Sequence, residues 1–564
     1  MGFASLTRTV AWLSCGLRRG AACGLPSGVL RRAVALAVLV TLALFVAPAV
    51  APAAVSSAQA TAIASRLPLV RGEERRHPGA FSQVSSPVSG QWQVSFYSRS
   101  QEFAQVIVSA ADGRVLGQYT GIQVAWTMAR GYPGAFGQHI DALYVWLPLC
   151  LLFLAPFFDW RRPLRMLNLD LLVLTSLSIS LAFFNHADIH RSVPLSYPPL
   201  VYLMVRLVWL ARPGAVRRPP LALNVGVRWL VVALLFLIGF RVSLNIVDST
   251  VIDVGYANVV GARKVLDGRS LYGQFPADIA RGDTYGPVSY EAYAPFVALW
   301  GFSGSWDDLP AAHAAAIFFD LLTIALLFAL GWRIRGPTTG VVLAYAWAAF
   351  PFTAFALESN SNDALVAALV IAALLAADSP PARGAFAALA GLAKFAPLAL
   401  APLLATHRLR ERGPRGLVIF AVCFAIVAAL ASLPALAHDS LATIYDRTVG
   451  YQAGRSAPFS IWGLYGGLRV EQTIVQVLAI VLALALAVLP RRDDVIGLCA
   501  CSAAILIAVG LGVNYWFYLY IPWFFAPAAV ALLGGPALLP RRSRREHLRG
   551  GYLPQRIAVR TGSR

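Results

Sequence analysis

Residues 227–256 read VRWLVVALLFLIGFRVSLNIVDSTVIDVGY, an apolar run that stops abruptly at two carboxylates, Asp248 and Asp253. The part from Val227 to Val247 is long enough to cross a hydrocarbon core as a helix. Comparable runs recur along the chain. Hydrophobic residues make up 58% of the 564, and charged residues only 13%; the mean hydropathy is +0.65. A water-soluble chain could not hide that much apolar surface, so the bilayer is the expected solvent. The fold class that follows is an all-α polytopic membrane protein with roughly 12 spans.

The formal net charge is +20. Arginines gather in short loops between apolar runs and in the tail (Arg541, Arg542, Arg544, Arg545), as the positive-inside bias requires. No basic face is interleaved with aromatics, so nucleic acid is not an expected partner. Lysine occurs at Lys264 and Lys394. Cys15 and Cys23 fall in the basic leader, whereas Cys150, Cys423, Cys499 and Cys501 fall in apolar segments. None has metal-ligand spacing, and small packing roles are expected.

Counting outward from the opening stretch gives the organisation. Residues 1–30 form a basic leader and 31–55 a signal anchor or cleaved signal. Residues 56–135 form a small extracytoplasmic α+β domain. Within it Ala58–Ser65 suits a helix, Gln91–Tyr97 and Ala104–Ser109 alternate as strands, and Asp112-Gly113 turns into Val115–Tyr119. "GQWQVSFYS" and "VIVSAADGRVLG" resemble a PepSY module, which implies a binding or regulatory role there. Helices at 139–212, a larger helical domain at 226–535 and a basic tail at 536–564 follow. Residues 384–406 have basic segments at both ends, so they cannot span once. Two half-helices broken near Lys394–Pro397 satisfy the sidedness. The loops at 248–310 and 437–471 are too long to be mere connectors, and both lie on the extracytoplasmic side.

Those loops hold the chemistry. A carboxylate at the mouth of a spanning helix is partly desolvated, which raises its pKa towards a general-base value. Asp248 and Asp253 are the candidates, and a solvated helix end is the plain alternative. The same loop carries Tyr256, Arg263, Lys264, Asp283 and Tyr285, then an aromatic run from Tyr290 to Trp300 expected along the membrane surface. "ALESNSNDALVAAL" sets Asn360, Asn362 and Asp363 at the join of two spans, where they cap a helix or face a cavity. Lys394, mid-segment, needs a partner such as Asp363 or an interface to snorkel to. The second loop supplies Arg447, Gln452, Arg455 and Trp462, suited to phosphate oxygens, sugar faces or an interfacial belt. Asn514–Tyr520 fits a belt at least as well as a site. His186 and His190 have helical metal-pair spacing but no clear third ligand, so no metal is expected.

From about 226 to 525 the chain resembles the GT-C glycosyltransferases, and within them the polyprenyl-phosphomannose-dependent mannosyltransferases of glycosyltransferase family 87. The resemblance rests on Asp253-Val-Gly-Tyr256, "VLDGRSLYG", "TYGPVSYEAYAPF", "SNSNDALVAALV", "GLAKFAPLALAPLL" and "RSAPFSIWGLYG", in that order. It implies an inverting, metal-independent and cofactor-free transfer of a hexose, mannose, from a polyprenyl-phosphate donor. The acceptor is a lipid or glycan of the cell envelope. Asp253 matches the first-loop aspartate that acts as base, with Asp248 as the alternative. Arg263, Lys264, Lys394, Arg447 and Arg455 are candidates for the donor phosphate. Tyr256, Asp283, Tyr285, Asn360, Asn362, Asp363, Gln452 and Trp462 are candidates for the substrate cavity. "TYGP" departs from the more usual Tyr-Pro-Pro. A transporter or lipid flippase would use the broken segment and Lys394 as a midplane site, although no inverted repeat is visible; a non-catalytic scaffold would leave the charged 248–290 loop unexplained.

Overall fold

Proline sets where many of the helices in this chain begin. Its missing N–H costs nothing in a first turn, and its fixed φ favours the helical start. The computed structural model describes residues 55–539, apart from short breaks at 87–88, 132–135, 137, 215–220, 456, 490 and 536–537. The leader, the apolar segment before residue 55, Cys15, Cys23 and the tail arginines lie outside the described residues. The chain divides into two compact units between Ala125 and Trp126.

The first unit pairs two helices, α1 (Ser57–Ser65) and α2 (Pro68–Arg76), with an antiparallel meander. Its strands are β1 (Phe81–Ser85), β2 (Gln91–Ser98), β3 (Gln101–Ser109) and β4 (Val115–Thr120). Val94 faces Val106 and Phe96 faces Ala104 across β2 and β3. These four pack with Ala60, Ala64 and Val70 in one apolar core. The sequence reading found α1, β2, β3 and β4 but not α2 or β1. The helix α2 buries Val70 alone, and β1 is an exposed edge, so neither carries a full apolar period.

In the second unit α3 (Leu143–Leu154), α4 (Met166–Asn185) and α5 (Ile189–Leu210) precede α6 (Val227–Asp248). A short helix, α7 (Asp253–Leu266), and the half-exposed α8 (Ala294–Trp300) occupy the loop before α9 (Pro310–Arg335). Then come α10 (Pro337–Ala349), α11 (Pro351–Glu358) and α12 (Asp363–Leu375). Next are α13 (Pro380–Ala393), α14 (Ala401–Ala405) and α15 (Leu409–Leu436). The last three are α16 (Arg469–Val488), α17 (Val495–Gly512) and α18 (Ile521–Leu533). Seven of these helices are long and apolar enough to cross a membrane, and the bent pair α10–α11 makes up to eight. The helix α5 starts at Ile189 and runs through Pro194, Pro198 and Pro199. His186 and His190 fall on either side of the α4–α5 junction, where Ala187 has a φ of 65°. They therefore do not share one helix face.

Two breaks shape the interior. The first is at Phe350–Pro351, where α10 and α11 meet at 59°. The ring of Pro351 is incompatible with an N–H···O bond to Trp347. The freed Trp347 carbonyl instead accepts from Thr353 Oγ1 at 2.6 Å, and Arg241 Nη1 reaches the Ala348 carbonyl at 3.2 Å. Arg241 also pairs with Asp320 of α9 through Nε at 3.2 Å, and Trp347 Nε1 donates to Asp320 at 2.8 Å. One buried ion pair thus ties α6, α9 and α10 together.

The second break turns the segment from Pro380 to Ala405 into a hairpin. The helix α13 ends at Ala393, Lys394 is extended (φ −143°, ψ 142°), and a 3₁₀ turn at Ala396–Leu400 leads back into α14. Pro397 explains the stop, because in a continuous helix its ring would strike the Ala393 carbonyl. Thr406 Oγ1 bonds the Ala487 carbonyl at 2.7 Å, at the opposite end of the bundle from Lys394. These are the two half-helices that the arginine placement demanded.

Removing one partner of a buried ion pair strands the other. Arg241→Leu is expected to lower unfolding stability by about 3–5 kcal/mol. Arg241→Leu combined with Asp320→Leu should recover most of that loss in detergent melts. Equal losses in the single and double variants would show that the pair does not couple these helices.

Candidate functional site

Six residues after the end of the α6 apolar run, Asp253 opens α7. Its position is set by an extended stretch, 249–252, that pairs with the far end of α11. The amides of Thr250 and Ile252 donate to the carbonyls of Glu358 and Ser359 at 3.0 and 3.2 Å. Asn360, in a left-handed conformation (φ 48°), donates through Nδ2 to Ser249 Oγ and the Thr250 carbonyl at 2.9 and 3.1 Å. Asparagine is among the few residues that tolerate this φ. Gly255 then passes so close to the Asn360 carbonyl that a Cβ there would collide with it. The SNSND motif is thus the seat on which Asp253 is mounted.

Asp253 faces a small chamber lined by Tyr285, Asp363, Lys394, Gln452, Arg455, Tyr515 and Tyr520. Surface access and depth point in opposite directions for this carboxylate. It is open to a small molecule, yet protein surrounds it on all sides. The chamber reconciles the two, because the opening leads into an enclosure and not into bulk solvent. Burial pushes Asp253 above the ordinary carboxylate range, and Asp363 adds to that. The Val254 amide, donating at 2.9 Å, and the charges of Arg455 and Lys394 oppose it.

Lys394 reaches the chamber from the hairpin turn. Its ammonium is 2.6 Å from Asp363 Oδ1, which also accepts from Trp523 Nε1 at 2.8 Å. The rings of Trp523, Tyr520 and Tyr285 surround it with centroids 5.0, 5.5 and 5.6 Å away. A lysine placed mid-segment costs roughly 2.5–3.5 kcal/mol on insertion scales, and this carboxylate and cage offset that cost. Among the described residues the second oxygen of Asp363 has no hydrogen-bond partner. Arg455 comes from the second long loop, its guanidinium 3.8 Å from the centre of the Tyr515 ring.

The chamber holds about 40 Å³, room for about three waters. Tyr285, Lys394, Gln452, Tyr515 and Tyr520 also line a second cavity of about 450 Å³. Its further walls are mostly apolar, among them Ala399, Val449, Leu506 and Val509. Two acids and two cations therefore stand at the head of a long apolar recess. Among the described residues no three His, Cys, Asp or Glu side chains cluster as metal ligands.

Several sequence candidates lie elsewhere. Asp248 accepts from the His139 amide at 3.0 Å and lies 2.5 Å from its ring, and it does not line the chamber. Arg263 pairs with Asp267, and Lys264 donates to the Ser270 carbonyl. Both sit ten or more residues along α7 from Asp253, about 15 Å at helical rise. Tyr256 donates to Asp278 and stacks on Trp306. Arg447 is spent on Asp283 at 2.6 and 2.8 Å, joining the two long loops. Asp439 makes a second joint there, accepting from Ser270, Leu271 and Tyr272. Asn362 donates to Ser289, and Trp462 to the Leu511 carbonyl. The sequence reading missed Met128, Phe136, Tyr515 and Tyr520 as lining residues. The two tyrosines belong to a turn whose aromatic composition equally suits an interfacial belt.

Residues 284–513 match glycosyltransferase family 87. The match covers Tyr285, Asp363, Lys394, Gln452 and Arg455, and it identifies the protein as a membrane glycosyltransferase. Asp253 precedes the matched residues. No curated protein and no solved structure matches the chain.

Gly286, beside Tyr285, packs against the hairpin so tightly that a Cβ would strike the Leu392 carbonyl, whereas Gly466 has open space around it. Gly286→Ala should cost about 1–3 kcal/mol in thermal unfolding, as overpacking does. Gly466→Ala should leave stability unchanged. Equal melting temperatures for the two variants would contradict the close seating of the hairpin.

Proposed function

We propose that this glycosyltransferase transfers a hexose, mannose, from a polyprenyl-phosphate donor to a hydroxyl-bearing cell-envelope acceptor. The transfer takes place at the extracytoplasmic face and inverts the anomeric carbon. The observation that carries the reading is the joint placement of Asp253, Lys394 and Arg455 at the head of an apolar recess. A soluble sugar nucleotide would have no use for 450 Å³ of aliphatic and aromatic wall, whereas a polyprenyl chain would.

The chemistry follows from the charges. The acceptor oxygen attacks the anomeric carbon while Asp253 takes its proton. The bond from that carbon to the phosphate oxygen breaks, and the lipid phosphate leaves with the electron pair. Negative charge grows on the leaving phosphate where Lys394 and Arg455 stand, so their stabilisation is greatest in the transition state. The free oxygen of Asp363 is left to accept a sugar hydroxyl. The chamber is too narrow for a whole sugar, so the ring extends towards Gln452 and Tyr285, which the two cavities share. Orientation rests on arginine placement in the sequence, since the positive-inside bias assigns the arginine-rich loops to the cytoplasm.

A panel of radiolabelled polyprenyl-phosphate sugars tests the donor class. Asp253→Asn should lower transfer by roughly 10²–10⁴-fold, the usual contribution of a general base. Because burial disfavours the charged carboxylate, that variant should melt no lower than wild type at neutral pH. The base works deprotonated and its pKa is raised, so activity should fall as pH drops through a midpoint above about 4, the ordinary carboxylate value. Lys394→Gln removes a cation that lowers this pKa and should move the midpoint upward. Full activity in Asp253→Asn, or turnover of nucleotide sugars alone, would contradict the reading.

A further inference from the structure

A third cavity lies beside the chamber and shares none of its lining residues. It is a groove of about 1060 Å³ running between α3 and α4. Two short segments form the partition between the cavities. In the first, Phe136 lines the chamber, while Gln138, His139 and Asp141 line the groove. In the second, Ile252 and Asp253 line the chamber, while Asp248 and Thr250 bind the groove residues from behind. Gln138 Nε2 donates to Thr250 Oγ1 at 2.9 Å, and the His139 amide donates to Asp248 at 3.0 Å. Thr250 is three residues from Asp253, about 10 Å of extended chain.

The groove has two characters along its length. Leu143, Leu147 and Ile179 present exposed side chains along the span-forming part. Asp141, Asn185, His186 and Arg191 gather at the end nearest the partition. The charges there are already matched: Arg191 lies 3.4 Å from Asp188, and His139 pairs with Asp248. Among the described residues Asp141 has no cation beside it and neither of its oxygens has a hydrogen-bond partner, with Asn185 close by. Burial pushes this carboxyl up to about 8, with Asn185 opposing, so it is neutral at pH 7 and offers both a donor and an acceptor. An apolar trough ending in neutral polar groups with no spare cation suits hydroxyls and not a phosphate.

We infer that this groove holds the acceptor, a lipid with an uncharged, hydroxyl-bearing headgroup, its chain along Leu143, Leu147 and Ile179 and its headgroup at Asp141. The inference rests on the transfer reaction proposed above, which needs two substrates to converge on Asp253. The donor chain takes the recess beside Lys394, and the groove lies on the other face of the segment that carries Asp253, so the two substrates come to that segment from opposite sides.

The full-length protein in nanodiscs can be photolabelled with a decyl glucoside carrying a diazirine in its alkyl chain. A phosphatidylglycerol with the same reactive chain serves as the second arm. The glucoside should label residues 143–147 and 179–183. Leu147→Trp, which fills the trough from an exposed position, should cut that labelling about tenfold, a loss of roughly 1.4 kcal/mol in binding. Asp141→Leu, which removes both donor and acceptor, should weaken it in the same direction, while both variants bind polyprenyl-phosphate sugar as wild type does. Labelling elsewhere, equal labelling by the phosphatidylglycerol arm, or undiminished labelling of a folded Leu147→Trp protein would overturn the inference. Donor turnover by wild type accompanied by labelling elsewhere sinks the groove alone. Absence of turnover with every polyprenyl-phosphate sugar sinks the donor reading itself.

Discussion

An ammonium group at the turn of an apolar hairpin must be neutralised where it stands, and in this protein Asp363 does so. That pairing requires the segment from 380 to 405 to break at Lys394, because only there does the side chain reach the first turn of α12. Pro397 makes the break inexpensive and Gly286 lets the hairpin approach the first long loop. Once the hairpin is seated, Tyr285, Tyr520 and Trp523 close around the cation, and the head of the apolar recess is defined. The ion pair is therefore less a source of net stability than a constraint on position. Buried pairs generally recover their desolvation cost only when hydrogen bonds complete them, as the indole of Trp523 does here.

Asp253 is mounted independently, through the backbone pairing of 250–252 with 358–359 and the left-handed Asn360. Both mountings converge on the SNSND stretch, which holds the carboxylate from one side and supplies the lysine's partner from the other. This explains why so polar a sequence is tolerated between two apolar helices. Every buried polar group there that lacked a partner would cost energy. The two long loops are held to each other by Asp283 with Arg447 and by Asp439 with the backbone of 271–272. That joint leaves Arg455 free of carboxylate partners among the described residues and stacked on Tyr515 beside the chamber.

Much of this was legible in the residues. Arginine placement with Pro397 called for two half-helices in 384–406, and the cost of an unpaired lysine called for a partner such as Asp363 or an interface, of which the structure shows the first. Other features were not legible. Asp248 and Asp253 lie five residues apart in one loop, with Asp253 favoured by resemblance alone, and the return of residues 138–139 to the mouth of α6 separates them by giving Asp248 to His139. Arg263 and Lys264 shared a loop with Asp253, but helix α7 carries them away along its axis. Arg447 had the right chemistry for phosphate and was claimed by Asp283. The tyrosines of 515–520 could not be separated from an interfacial belt, because belt and site use the same rings. Except along α7, the deciding contact comes from a residue distant in sequence, which periodicity and spacing do not record.

The proposed transfer requires one shared enclosure for a carboxylate base and a lipid phosphate. A structure of the protein with polyprenyl phosphate bound in nanodiscs addresses it directly. The phosphate is expected within hydrogen-bond reach of Lys394 and Arg455, with the isoprenoid chain passing Ala399, Val449 and Leu506. A phosphate seated away from both cations, or a chain outside that recess, would contradict it.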